Sequence, residues 1–193
     1  MPSTVCNALT KNIASRKCTV AGGVKTRSWV FQKDDFTSAI TKNSGGALSS
    51  FVLASGAQVI TATSKAKKGK GDSKITQAVD AGVSVEQSVA MAFAYNSQAE
   101  LDCIQAMLAA DGKVVFQETN AGTIRVYFFG FGHESAEGDD TTGQQIADAA
   151  NILNVTLKGN EQALPLFFEA PISGGLSQLA SSIAYLDNLV TGS

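Results

Sequence analysis

The segment Val83–Tyr95 constrains the fold more than any other part of the chain. Val83, Val85, Val89, Met91, Phe93 and Tyr95 fall on one side of an extended backbone. Ser84, Glu86, Ser88, Ala90, Ala92 and Ala94 fall on the other. This pattern predicts a long strand with one face in a core. The large apolar side chains are each worth roughly 1.5–3 kcal/mol when fully buried. The opposite face is small and smooth, carries no lysine or arginine, and has Glu86 as its single charge. Such a face suits close packing of another element, or the wall of a lumen.

A helix follows directly. Ser97 and Glu100 make an S-x-x-E capping box, and Leu101, Ile104 and Leu108 recur at helical spacing with Met107 alongside. Asp111-Gly112 ends it. With one apolar stripe, this helix is expected to cover the large face of the Val83–Tyr95 strand. Further strands are expected at Lys25–Gln32, and at Phe51–Ala54 and Val59–Ser64 as a hairpin around Ser55-Gly56. A second hairpin, Lys113–Thr119 with Thr123–Phe131, turns at Asn120-Ala121-Gly122. Ile152–Lys158 and Ala163–Phe168 flank Gly159-Asn160, and Pro165 confines the latter to an edge or shortens it. Leu176, Leu179, Ile183, Leu186 and Val190 mark a C-terminal helical stripe.

The order predicts a mainly β protein with α: an antiparallel β-sandwich or barrel-like sheet, one packed helix, and a C-terminal helix or arm. Alternating βαβ units are not indicated. Residues 1–24 read as an N-terminal arm with a helical turn around Asn7–Ser15, residues 25–170 as one β domain, and residues 171–193 as the C-terminal helix or arm.

Two polar stretches interrupt the apolar pattern. Lys65–Lys74 holds Lys65, Lys67, Lys68, Lys70 and Lys74 against Asp72, and reads as a solvated excursion. It cannot bury enough apolar area to offset its own ordering entropy, so it is expected to order against a neighbouring copy. Gly130–Gly143 reads as an acidic loop with Glu134, Glu137, Asp139 and Asp140, a suitable partner for those lysines on that copy.

Charged residues make up 17% of the chain, against about 25% in a typical soluble domain. That deficit points to self-association. A net charge of −2 lacks the basic balance of a protein that grips duplex DNA. His133 is the only histidine, so any Ser/His/Asp or Cys/His site needs it. Its Gly-flanked surroundings predict an exposed loop residue. The acidic stretch lacks calcium-loop spacing, and no glycine-rich stretch matches a phosphate- or dinucleotide-binding pattern. Cys6, Cys18 and Cys103 fit no metal pattern and read as free thiols in a reducing compartment, with a Cys6–Cys18 disulfide as the alternative. The first residues lack the apolar segment of an export signal, and no run of 18 apolar residues occurs, so neither export nor membrane insertion is expected. The expectation is a non-enzymatic chain without cofactor or metal.

The polar excursion beside a hairpin, the capped helix at Ser97–Asp111 and the later hairpins give residues 25–170 a likeness that Leu101–Gly112, Asn120–Gly130 and Thr156–Glu161 carry in particular. The chain resembles the tail tube (major tail) proteins of tailed bacteriophages. That resemblance implies hexameric rings whose sheets join into a β-barrel around a DNA channel, stacked through a long loop and terminal arms. It implies a virion structural protein, assembled in the bacterial host cytoplasm. Its partners would be its own copies, other tail or head proteins, and DNA as non-specific cargo. No catalytic residue is implied. Ser84, Glu86, Ser88, Ala90 and Ala92 would face the lumen, and Lys65, Lys67, Lys68, Lys70, Asp72 and Lys74 would form the inter-ring loop. Alternatives are a capsid decoration or head–tail connector protein, or a small hydrolytic or ligand-binding β domain using His133 and the acidic loop.

Overall fold

In the central strands, large apolar side chains point both ways, which requires a layer on each side. Trp29, Val30 and Phe31 are consecutive and all buried, as are Val114, Val115 and Phe116. The computed structural model describes residues 26–37, 40–57, 59–64, 70–78, 82–95, 97–109, 112–119, 121–141 and 151–191. Their strands are β1 (Thr26–Gln32), β2 (Thr41–Lys42), β3 (Leu48–Ser50), β4 (Ile60–Ser64), β5 (Lys70–Ala78), β6 (Gly82–Tyr95), β7 (Lys113–Glu118), β8 (Ile124–Tyr127), β9 (Ser135–Thr141), β10 (Asn151–Glu161) and β11 (Leu166–Phe168). The helices are α1 (Gln98–Ala109) and α2 (Gln178–Thr191).

The strands form two open sheets. A seven-stranded sheet runs β2-β3-β11-β8-β7-β1-β4, and a four-stranded sheet runs β5-β6-β10-β9. The small sheet is antiparallel throughout. In the large sheet only β3 and β11 pair in parallel. The mainly β class read from the sequence holds, and neither sheet closes on itself.

Alternation sorts the side chains into two cores. Val30, Val115 and Tyr127 of the large sheet meet Val89, Met91, Phe93, Val155 and Leu157 of the small one. On the other side, Trp29, Phe31, Phe116, Ile124, Val126 and Phe168 lie under Leu186 and Val190 of α2. Phe51 makes an edge-to-face contact with Phe31 at 5.6 Å and a tilted one with Phe116 at 5.3 Å, within the range where aromatic pairs add to area burial. Polar contacts fix α2 in place. Asp187 accepts from Arg27 (2.9 Å) and from the Trp29 indole (3.1 Å), and the Tyr185 hydroxyl donates to the Phe51 carbonyl (2.7 Å). The C-terminal segment is thus a docked helix and not a free arm. No described helix is long and apolar enough to cross a membrane.

Several expectations change. The large face of β6 is covered chiefly by the large sheet; α1 adds Ile104 and part of Leu101. Val83 is 49% exposed because the β5–β6 hairpin reaches past the core, which ends near Val85. The expected hairpin of Phe51–Ala54 with Val59–Ser64 does not form. Leu53 makes an isolated bridge to Phe36, while β4 crosses to the far edge to pair with β1. Gly159-Asn160 is not a turn but part of β10, which runs on to Glu161. Gly159 is needed there because a Cβ would press on the Gly132 carbonyl and the Phe128 ring. The N-terminal arm, with its expected helical turn, lies outside the described residues.

Candidate functional site

Among the described residues, each polar stretch contributes a strand to one edge of the small sheet. The second half of the lysine-rich stretch belongs to β5, which pairs with β6 along its length. The acidic stretch is β9, which pairs with β10. Ladder hydrogen bonds to an inner strand supply what their own side chains do not, so a polar sequence becomes an ordered edge. Lys65, Lys67 and Lys68 lie outside the described residues.

This placement merges two predicted sites into one surface. Across β5 and β6, Lys70 faces Ala90, Asp72 faces Ser88, Lys74 faces Glu86, and Thr76 faces Ser84. Directly opposed residues share a face of the sheet. Ser84, Glu86, Ser88 and Ala90, expected to line a lumen, therefore stand beside Lys70, Asp72 and Lys74, expected in the inter-ring loop. Ser84 and Glu86 are exposed, and Ser88 and Ala90 half-buried. Ala92 is the exception: it is buried at 7% exposure, opposite Asn154 and beyond the end of β5.

The face is not free of lysine, as β6 alone suggested. Its neighbours bring in Lys70 and Lys74, and β10 adds Lys158. Each has an acid beside it. Lys70 pairs with Asp72, Lys158 donates to Glu137 of β9 (2.8 Å), and Lys74 lies directly opposite Glu86. Asn160 donates to Glu134 at the border of the sheet (3.0 Å). Exposed pairs of this kind contribute little stability. Their effect is to leave the surface polar with its charges locally matched.

Beneath the face, the fit between the sheets is close. At Gly71 of β5 a Cβ would overlap the Tyr127 hydroxyl and crowd the Gln117 side chain. Burial raises the pKa of that phenol; Arg125 opposes the shift and Asp72 adds to it. Ser28 Oγ and Gln117 Nε2 are buried nearby without a hydrogen-bond partner.

A buried polar clamp ties the small sheet to the crossover from β8 to β9. Phe128 turns the chain with φ 60°. The freed N–H groups find side-chain acceptors: Phe128 N–H donates to Gln87 (2.8 Å), and Gly130 and Phe131 donate to the Glu161 carboxylate (3.1 and 2.8 Å). His133 belongs to this clamp and is 2% exposed, not an exposed loop residue. Its Nδ1 accepts the Lys113 N–H (2.8 Å), which fixes the start of β7. Sequence reasoning missed Gln87 and Glu161. Their signal was a polar residue at an inward position of each long strand. No family model, curated protein or solved structure matches the chain.

Proposed function

We propose that this protein is a structural subunit that self-assembles into stacked rings, forming the tail tube of a bacteriophage and the conduit for its DNA. The open face of the small sheet is the wall of that conduit. The observation that supports this reading most is the character of that face. It is a broad, rigidly backed surface of serine, alanine and threonine in which each lysine stands beside an acid. A moving polyanion would be held by unpaired cations, since each phosphate contact releases counterions and adds affinity. Matched charges and short side chains give it little to hold. Six copies, the number the resemblance implies, would place about twenty-four strands around a bore. At about 4.8 Å per strand the backbone ring is roughly 37 Å across, leaving about 25 Å inside the side chains. Barrels of 16–18 strands already enclose water-filled channels.

Ala90→Lys tests the wall. Position 90 lies opposite Lys70, so the new cation has no acid directly across from it. Assembly should proceed, and DNA release from variant particles should slow several-fold. Release at the normal rate removes this face from the conduit.

A further inference from the structure

Among the described residues, the small sheet has two unpaired edges, β5 and β9. Unpaired edges template further pairing unless they are blunted or covered. These edges differ in charge. β5 reads Lys-Gly-Asp-Ser-Lys-Ile-Thr-Gln-Ala, with two lysines and one aspartate. β9 reads Ser-Ala-Glu-Gly-Asp-Asp-Thr, with three acids and no base. They also run in opposite directions, because each step in the order β5-β6-β10-β9 is antiparallel.

We propose that the β5 edge of one copy pairs antiparallel with the β9 edge of a second copy, and that their opposite charge selects this joint over either two-fold joint. This rests on the self-assembly reading above and names the surfaces that carry it. A two-fold joint brings β9 against β9, acid edge to acid edge, or β5 against β5, two edges of the same net positive charge. Like charges directly opposite one another destabilise a strand pair, and opposite charges favour it. A β5–β9 joint is head-to-tail, so it generates rings where the rotation closes. Strand direction permits it. Copies related by rotation about an axis along the strands keep their polarity, and the next β5 then meets β9 antiparallel. The lengths agree as well, at nine residues against seven. Seven paired residues span about 23 Å. The wall stays continuous where β5 residues 70, 72, 74 and 76 lie on the same side as β9 residues 135 and 137. That parity, with all seven β9 residues paired, leaves two registers, which set Thr76 opposite Ser135 or two residues from it.

The test joins Thr76→Cys on β5 with Ser135→Cys on β9, both exposed in the single copy. A thiol cross-linker with an arm of about 8 Å is added to assembled protein, and linked peptides are identified by mass spectrometry. Within one copy the two strands are three spacings apart, about 14 Å, beyond that arm. The proposal predicts 76–135 links between copies and a ladder of linked oligomers. Links of 76–76 or 135–135, or assembled particles without 76–135 links, overturn it. A charge swap gives the second arm. Lys70→Glu with Lys74→Glu should raise the concentration needed for assembly at least tenfold. Adding Glu137→Lys and Asp139→Lys to that chain should bring it back. Failure of the fourfold variant to recover although it melts as the wild-type chain does, or normal assembly of the double variant, also overturns the joint. Rings that form with other links contradict this joint alone. Absence of any assembly by the wild-type chain contradicts the self-assembly reading with it.

Discussion

The two sheets are built from strands of similar grammar and meet opposite fates. The large sheet is covered on both faces, by the small sheet on one side and by α2 on the other. Among the described residues, the small sheet is covered on one face only. Its other face holds ion pairs and short side chains, and its outer strands are largely polar. Removing the outer face of the small sheet would cost the fold little. Removing either face of the large one would destroy it. The difference separates a sheet that makes the molecule stable from a sheet that the molecule presents.

Substitutions can break or sharpen that contrast. The largest effect is expected in the doubly covered sheet. Phe116→Ala removes a fully buried ring that touches Phe31, Phe51 and Phe168. A cost of about 3–5 kcal/mol in chemical denaturation is expected. Next comes the seam between the sheets. Gly71→Ala drives a methyl group into the Tyr127 hydroxyl, for about 1–3 kcal/mol of overpacking. Combining it with Tyr127→Phe should recover part of the loss. On the open face, Ala90→Lys should change stability by no more than about 0.5 kcal/mol. A large loss there would mean that the face is packed and not presented.

The smallest effect concerns Glu118, near the anchor of α2. Burial raises its pKa; Arg27 pulls it back and Asp187 adds to the rise. A carboxyl with a raised folded pKa favours the fold below its unfolded pKa and loses that contribution as pH rises through the folded value. Glu118→Gln should therefore help more at pH 7 than at pH 4. Melting curves at the two pH values check the sign, and equal shifts at both would contradict it.

How much of this was legible follows from where the stabilising contacts come from. β6 was legible because its own residues carry the alternation that buries it. α1 and the stripe of α2 were legible for the same reason. β9 was not: Ser-Ala-Glu-Gly-Asp-Asp-Thr has the composition of a loop, and it becomes a strand through its ladder to β10. Lys65–Lys74 reads as a solvated excursion because Ala66 is its only apolar residue; its described end opens β5, where the one large apolar residue, Ile75, is 55% exposed. An edge strand can owe its order to its neighbour, which local sequence does not reveal. The open face was half legible. The β6 residues Ser84, Glu86, Ser88 and Ala90 were identified, but the lysines that join them come from strands whose pairing a single sequence does not encode. His133 was misplaced because its burial depends on Gly130 and Gly132 bending the crossover onto Glu161 and β7.

The central claim is that the small sheet is completed by copies of itself around a bore. Electron microscopy of purified protein at high concentration, with an initiator complex supplied where spontaneous nucleation is slow, tests this most directly. The account predicts hollow rings or tubes whose inner wall is the face bearing Ser84, Glu86, Ser88 and Ala90. A strictly monomeric species in sedimentation under the same conditions, or an assembly with that face on its outer surface, would contradict it.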